Sequence, residues 1–172
     1  LLGSFRQLID RLFRKTSISR NSPLSVKKSI VDQLNEHWSW TGIEASEVVG
    51  QNQFGNLLVL DKSGKYWRIT PEQLRCEVVA ATSKEFAEII IDDEFQLDWE
   101  MAAIVEIARQ KCGPLKSGWV YYLVIPDLFG GLYEADNIRT APLDELIYIS
   151  GTWALEIKDL PEGGQVKLRI VD

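Results

Sequence analysis

A single histidine, a single methionine and two cysteines are all that this 172-residue chain offers of the side chains that most often hold soft metals or carry redox chemistry. Cys76 falls in a predicted strand and Cys112 at a predicted helix end, with no CxxC or Cys/His spacing, so free thiols in a reducing cytoplasm are expected. A helix C-terminus raises a thiol pKa, which argues against Cys112 as a nucleophile. His37 stands beside Glu36 at the end of a short predicted helix, where a basic side chain meets the negative pole of the helix dipole. Because His37, Cys76 and Cys112 fall on different elements, no metal or cofactor site is expected from them. There is no GxSxG elbow, and Ser150 and Gly151 lie in mid-helix, so a serine hydrolase is disfavoured and no catalytic residue is assigned. Gly130 and Gly131 precede a helix, but neither GxGxxG nor GxxxxGK[ST] is present, and they read as a tight crossover.

Long apolar runs are also missing. None approaches the roughly 20 residues of a membrane-crossing helix, and no charged segment, apolar stretch and cleavage site mark a retained signal peptide. Met101 is the only methionine, so the sequence is expected to begin within, or just after the processed start of, a longer product. Hydrophobic residues at 45% and charged residues at 26% fit a soluble globular chain, and a chain of this length can bury about 70% of its unfolded surface in one core.

Charge is unevenly placed. Up to Glu36 there are seven Lys/Arg against three Asp/Glu, and beyond it twelve against twenty-two, for a net charge of -6. That balance disfavours direct nucleic-acid binding and suits a basic protein partner. Leu1, Leu2, Phe5, Leu8, Ile9, Leu12 and Phe13 recur at helical spacing with Arg6, Arg11, Arg14 and Lys15 between them, which predicts a basic amphipathic helix. Its apolar side would pack on the core or on a neighbouring copy, or serve as an arm for a membrane surface or partner. TSISRNSP at 16–23 has linker composition, so residues 1–24 are read as helix and linker and 25–172 as one domain.

Within that domain Ser25 is placed to cap a helix carrying Val26, Ile30, Val31 and Leu34. Segments 47–51, 57–61, 66–70 and 76–80 are rich in β-branched or aromatic residues and separated by short turns, predicting an antiparallel meander with its clearest hairpin at Gly64. Thr82 and Glu85 have capping-box spacing for a short helix ending near Asp92. A longer helix to Lys111 is expected, with Leu97, Met101, Ile104, Val105 and Ala108 on its apolar side and Gly113-Pro114 as its stop. WVYYLVI at 119–125 reads as a central strand covered on both faces. After the glycine loop come an extended piece at 137–139, a helix at 143–160, the turn PEGG, and a last strand at 165–171 that alternates Val166, Leu168 and Ile170. Gly151 inside that helix costs about 1 kcal/mol relative to alanine, and close packing against the sheet is the expected compensation.

DDEFQLDWE concentrates Asp92, Asp93, Glu94, Asp98 and Glu100 at a predicted helix start. Carboxylates there complement the helix dipole, and they also form a negative patch able to steer a basic partner. The DxDxDG calcium pattern is absent. Trp38, Trp40, Tyr66, Trp67, Tyr121, Tyr122 and Tyr133 are candidate anchors, about half of which strand alternation assigns to the core.

Four stretches carry a family resemblance: WSWTGIEASEVVG at 38–50, GNLLVLDKSGKYWRITPE at 55–72, DDEFQLDWEMAAIVEIA at 92–108 and GGLYEADNIRTAPLDELIYISGTWALEIKDLPEGGQVKLRIVD at 130–172. Together they resemble the C-terminal domain of type VI secretion immunity proteins, formerly a domain of unknown function, whose namesake guards its producer against a secreted DNase. The resemblance implies a non-catalytic, cytoplasmic protein that neutralises a cognate toxin by binding, and it marks Ser150, Gly151, Thr152 and Trp153 as fold determinants; Gly64, Gly130 and Gly131 are read as fold-determining from their own turn and loop positions. The expected fold is α+β, a mainly antiparallel sheet with helices packed to one side. The competing reading is a regulatory or scaffold module of a larger bacterial protein, with residues 1–15 as its docking helix.

Overall fold

A computed structural model of the chain describes residues 28–160. The basic segment at 1–15, Ser25 and Val26, and the turn and strand expected at 161–171 lie outside the described residues.

The chain enters through α1, Ile30–His37. Its cap is Ser29 rather than Ser25: the Ser29 hydroxyl accepts from the N–H of Asp32 at 3.1 Å, and the Asp32 carboxylate accepts from the N–H of Ser29 at 3.1 Å. Three residues beyond Ser25 stands Lys28, which cannot return that second bond; the Ser29/Asp32 pair satisfies two otherwise orphaned donors.

Four strands follow as an antiparallel meander in sequence order: β1 Ala45–Gln51, β2 Leu57–Asp61, β3 Tyr66–Thr70 and β4 Arg75–Ala80. The hairpin between β2 and β3 turns at Gly64, with φ of +87°, and Leu60 pairs with Tyr66. Asp61 organises the turn, its carboxylate accepting from the N–H of Ser63 and Lys65 and from the Trp67 indole. Next come α2 Ser83–Ile89, α3 Asp93–Glu100, α4 Ala102–Cys112, β5 Trp119–Leu123, β6 Ile138–Pro142 and α5 Leu143–Ile157. The α+β class is thus as expected. At α2, Thr82 accepts from the N–H of Glu85, while the Glu85 carboxylate reaches the N–H of Ala81.

Two expectations change. The single long helix is two helices, broken at Met101, whose φ is +50°. The Trp99 carbonyl, which a continuous helix would pair with the N–H four residues on, accepts instead from Asn52 Nδ2 at 2.8 Å. As a result Leu97 points to solvent, 75% exposed, while Ile104, Val105 and Ala108 are buried. The other change concerns β5, which pairs antiparallel with β6 alone among the described residues. Both faces are covered as its composition demands. Val120 and Tyr122 join the cluster formed by Leu34, Trp38, Leu57, Val59, Ile69 and Ile147, and Tyr121 and Leu123 join that of Phe54, Ile104, Ala108 and Ile138.

Gly131 meets a hard limit: a Cβ there would stand 1.7 Å from the Ile125 carbonyl oxygen. Asn137 ties the same crossover, accepting from the Ile125 N–H and donating to the carbonyls of Ile125 and Leu132. Gly151 is also a close approach, but to the end of α1 rather than to the sheet. A Cβ would lie 2.8 Å from the His37 carbonyl oxygen and 2.9 Å from Trp38 Nε1. Trp38 is fully buried and donates from that nitrogen to the Ile147 carbonyl at 3.2 Å. Gly151→Ala would gain about 1 kcal/mol of helix propensity and lose about 1–3 kcal/mol to overpacking, with net destabilisation expected. Urea denaturation checks this; a midpoint equal to or above that of the parent would refute the close-approach account.

Candidate functional site

Strand alternation sends Trp67 and Ile69 of β3 into the core and Tyr66 and Arg68 to the other face of the meander. There α2 and α3 meet the sheet as an arm with no buried residue of its own. Its attachments are specific. Tyr66 stacks on Phe86 with centroids 3.9 Å apart, and Phe95 and Trp99, one helical turn apart on α3, lie parallel at 6.3 Å. The Arg68 guanidinium sits 5.9 Å from the Phe95 ring centre and 5.7 Å from that of Trp99, and pairs with Asp98. Its side chain is 13% exposed, so cation–π attraction acts here in a largely desolvated setting.

From Arg68 a polar chain runs inward. Asn56 Oδ1 accepts from Arg68 Nη2 at 3.2 Å, and Asn56 Nδ2 donates to both Glu72 carboxylate oxygens, at 3.0 and 2.9 Å. Glu72 is buried in the one-turn helix Pro71–Gln73. Burial pushes its carboxyl up to about 7, against the opposing pull of Asn56 and Arg68. Tyr133, from the crossover between β5 and β6, is pushed upward by burial and by the nearby Glu72, Asp127 and Asp98 charges. Arg68 Nε is buried without a hydrogen-bond partner among the described residues. The arrangement holds and orients charge; it contains no nucleophile activated by a base.

The five acidic candidates do not form one cluster. Asp92 caps α3, accepting from the N–H of Phe95 at 2.9 Å. Asp93 and Glu94 point outward from its first turn, with no ion pair among the described residues. Asp98 is held by Arg68. Glu100 borders a groove of about 470 Å³ shared with Gln51, Gln53, Trp99, Glu106 and Arg109. Between residues 83 and 100 there is one lysine against seven carboxylates, 1 − 7 = -6, which equals the net charge of the whole chain. The same arm exposes Ile91 at 72% and Leu97 at 75%.

Other candidates are structural. His37 is half-buried, edge-on to Tyr148 at 4.8 Å, and burial holds its pKa below the usual value against the pull of Glu36. Burial pushes the Cys76 thiol up to about 11 and that of Cys112 upward, so neither supplies a ready thiolate. Of the aromatics, Trp38, Tyr121 and Tyr122 are core, while Trp40 stays at the surface, stacked on Trp38. Among the described residues no three His, Cys, Asp or Glu side chains are grouped to hold a metal ion, and no helix is long and apolar enough to cross a membrane. Arg68, Asn56 and Glu72 were not picked out from sequence, because one arginine in an alternating strand looks like a solvated position.

Glu72 makes a testable contribution to stability. Its folded pKa lies above the ordinary 4.5, so the folded state retains a proton that the unfolded chain releases, and stability is lost as pH rises from about 4.5 to about 7. This amounts to about 3 kcal/mol at 1.36 kcal/mol per pH unit. His37 works in the opposite sense but is common to parent and variant. The stability of the parent relative to Glu72→Gln is therefore expected to fall by about that amount across this window; a pH-independent difference in urea unfolding would refute it.

Comparison with known proteins gives one family. Residues 80–152, from the end of β4 into α5, match the family described as T6SS immunity protein Tdi1, C-terminal. No curated protein matches the chain. Among solved structures, one titled "Crystal structure of Atu4351 from Agrobacterium tumefaciens" aligns over 87% of this chain and 80% of that chain, at 16% identity and a TM-score of 0.49. The match at 80–152 takes in the acidic arm, the helix pair α3–α4 and the glycine crossover, and over that stretch the chain is similar to the Tdi1 C-terminal family of type VI secretion immunity proteins.

Proposed function

We propose that this protein is a non-catalytic immunity protein that binds and neutralises a cognate bacterial toxin delivered by type VI secretion, a DNase by the family's namesake, and that it acts in the cytoplasm. The observation that carries the reading is the family match, whose span includes the whole arm. The arm's chemistry agrees with it. A DNase must hold phosphates with clustered Lys and Arg, and a surface bearing seven carboxylates within eighteen residues is complementary to such a site. Exposed Ile91 and Leu97 add the apolar contacts that slow dissociation once steering has brought the surfaces together.

Co-expression with the product of the neighbouring gene tests the reading: that product is expected to be toxic when expressed alone, growth is restored by this protein, and the two co-purify. Failure of both sinks it and favours a regulatory or scaffold module. Asp93→Lys with Glu94→Lys is expected to slow association at low salt by roughly tenfold and to flatten its salt dependence, because exposed charges act mainly on the encounter rate. Asp98 is kept out of that variant since it pairs Arg68; Asp98→Lys is expected to lower stability as well. Surface-binding kinetics over a salt series check the prediction, and an unchanged on-rate in the double variant moves the interface away from α3.

A further inference from the structure

The outward side of the arm has no cover among the described residues. Phe95 and Trp99 turn toward Arg68, which leaves Asp93, Leu97 and Glu100 on the opposite side of α3. With Ile90 and Ile91 at the end of α2, three exposed aliphatic side chains fall within eight residues, bordered by carboxylates that lack cationic partners among the described residues. A surface of this kind fits a segment that is both apolar and basic.

The chain carries such a segment. Residues 1–15 place Leu1, Phe5, Leu8 and Leu12 at helical spacing and hold four basic side chains against Asp10, 4 − 1 = +3, a charge opposite in sign to the -6 of the arm. The tether is long enough. Fourteen residues, 16–29, separate the segment from the start of α1 and span up to roughly 48 Å when extended. A domain of 133 residues (28–160) has a diameter of about 36 Å from its radius of gyration. Tethering also supplies an effective concentration in the millimolar range, so that even a weak contact is populated.

We propose that residues 1–15 dock in cis on the outer face of the arm, with their apolar positions over Ile90, Ile91 and Leu97 and with Arg6, Arg11 and Arg14 toward Asp93, Glu94 and Glu100. The contact does not depend on a toxin, and it makes the segment a competitor for any basic partner of the same face.

Hydrogen–deuterium exchange on the full chain, at low micromolar concentration and low salt with no toxin present, tests this. Arg6→Glu/Arg11→Glu/Arg14→Glu is expected to speed exchange at residues 83–100 by about tenfold and leave β2 and β3 unchanged. Asp93→Lys/Glu94→Lys/Glu100→Lys alone should give the same loss of protection, and the combined six-residue swap should restore it. Equal exchange of the arm in parent and both triple variants overturns the proposal. So does protection that grows with protein concentration, which would put the segment on a second copy. Binding of the parent to phosphatidylserine vesicles, with no difference at the arm between parent and variants, also overturns it and makes the segment a membrane-surface anchor.

Discussion

Strand β5 has no wet face, and that constraint orders the rest of the molecule. Val120 and Tyr122 point into one apolar cluster and Tyr121 and Leu123 into another, so the strand serves as a partition between two packed regions. Each large apolar side chain buried in this way contributes about 1.5–3 kcal/mol, and its partner β6 likewise sends Ile138 into one cluster and Ala141 into the other. The meander with α1 and α5 closes one side, and α4 with the Phe54 loop closes the other. Neither cluster takes a residue from α2 or α3.

That exclusion bears on function. An arm outside both cores can hold seven carboxylates and three exposed aliphatics without loading the fold with unpaired charge. What fixes it is Arg68. Desolvating a guanidinium costs several kcal/mol unless it is paired and hydrogen-bonded, and here Asp98, Asn56 and two aromatic rings share that task. Arg68 also couples the arm to buried Glu72 through a single asparagine, so the position of the acidic surface is set from inside the domain.

Much of the sheet was legible in residue pattern. Segments 57–61 and 66–70 coincide with β2 and β3 because apolar β-formers flank a turn where Gly64 takes a positive φ without strain. The capping spacing of Thr82 and Glu85 likewise marked the start of α2. Less was legible where a distant group intervened. Asn52, nearly fifty residues upstream, captures the Trp99 carbonyl and divides a helix whose periodicity ran unbroken through Met101. The alternation of β3 does not reveal that Arg68 would be enclosed by two rings of α3, since local pattern reports which face a residue takes and not what covers that face.

By itself, then, the sequence determined the local elements: turn glycines, caps and two-residue alternation act over a few positions and carry their own energetic preference. It also marked residues 92–100 as acidic and Gly151 as a site of close approach. Only the tertiary structure decided that Gly151 meets α1, that Asp98 is tied to Arg68 while Asp93 and Glu94 face water, and that a buried Glu72 stands behind them. These outcomes depend on desolvation and on which elements come within hydrogen-bonding distance. Both arise when segments far apart in the chain pack together, so composition and spacing alone do not contain them.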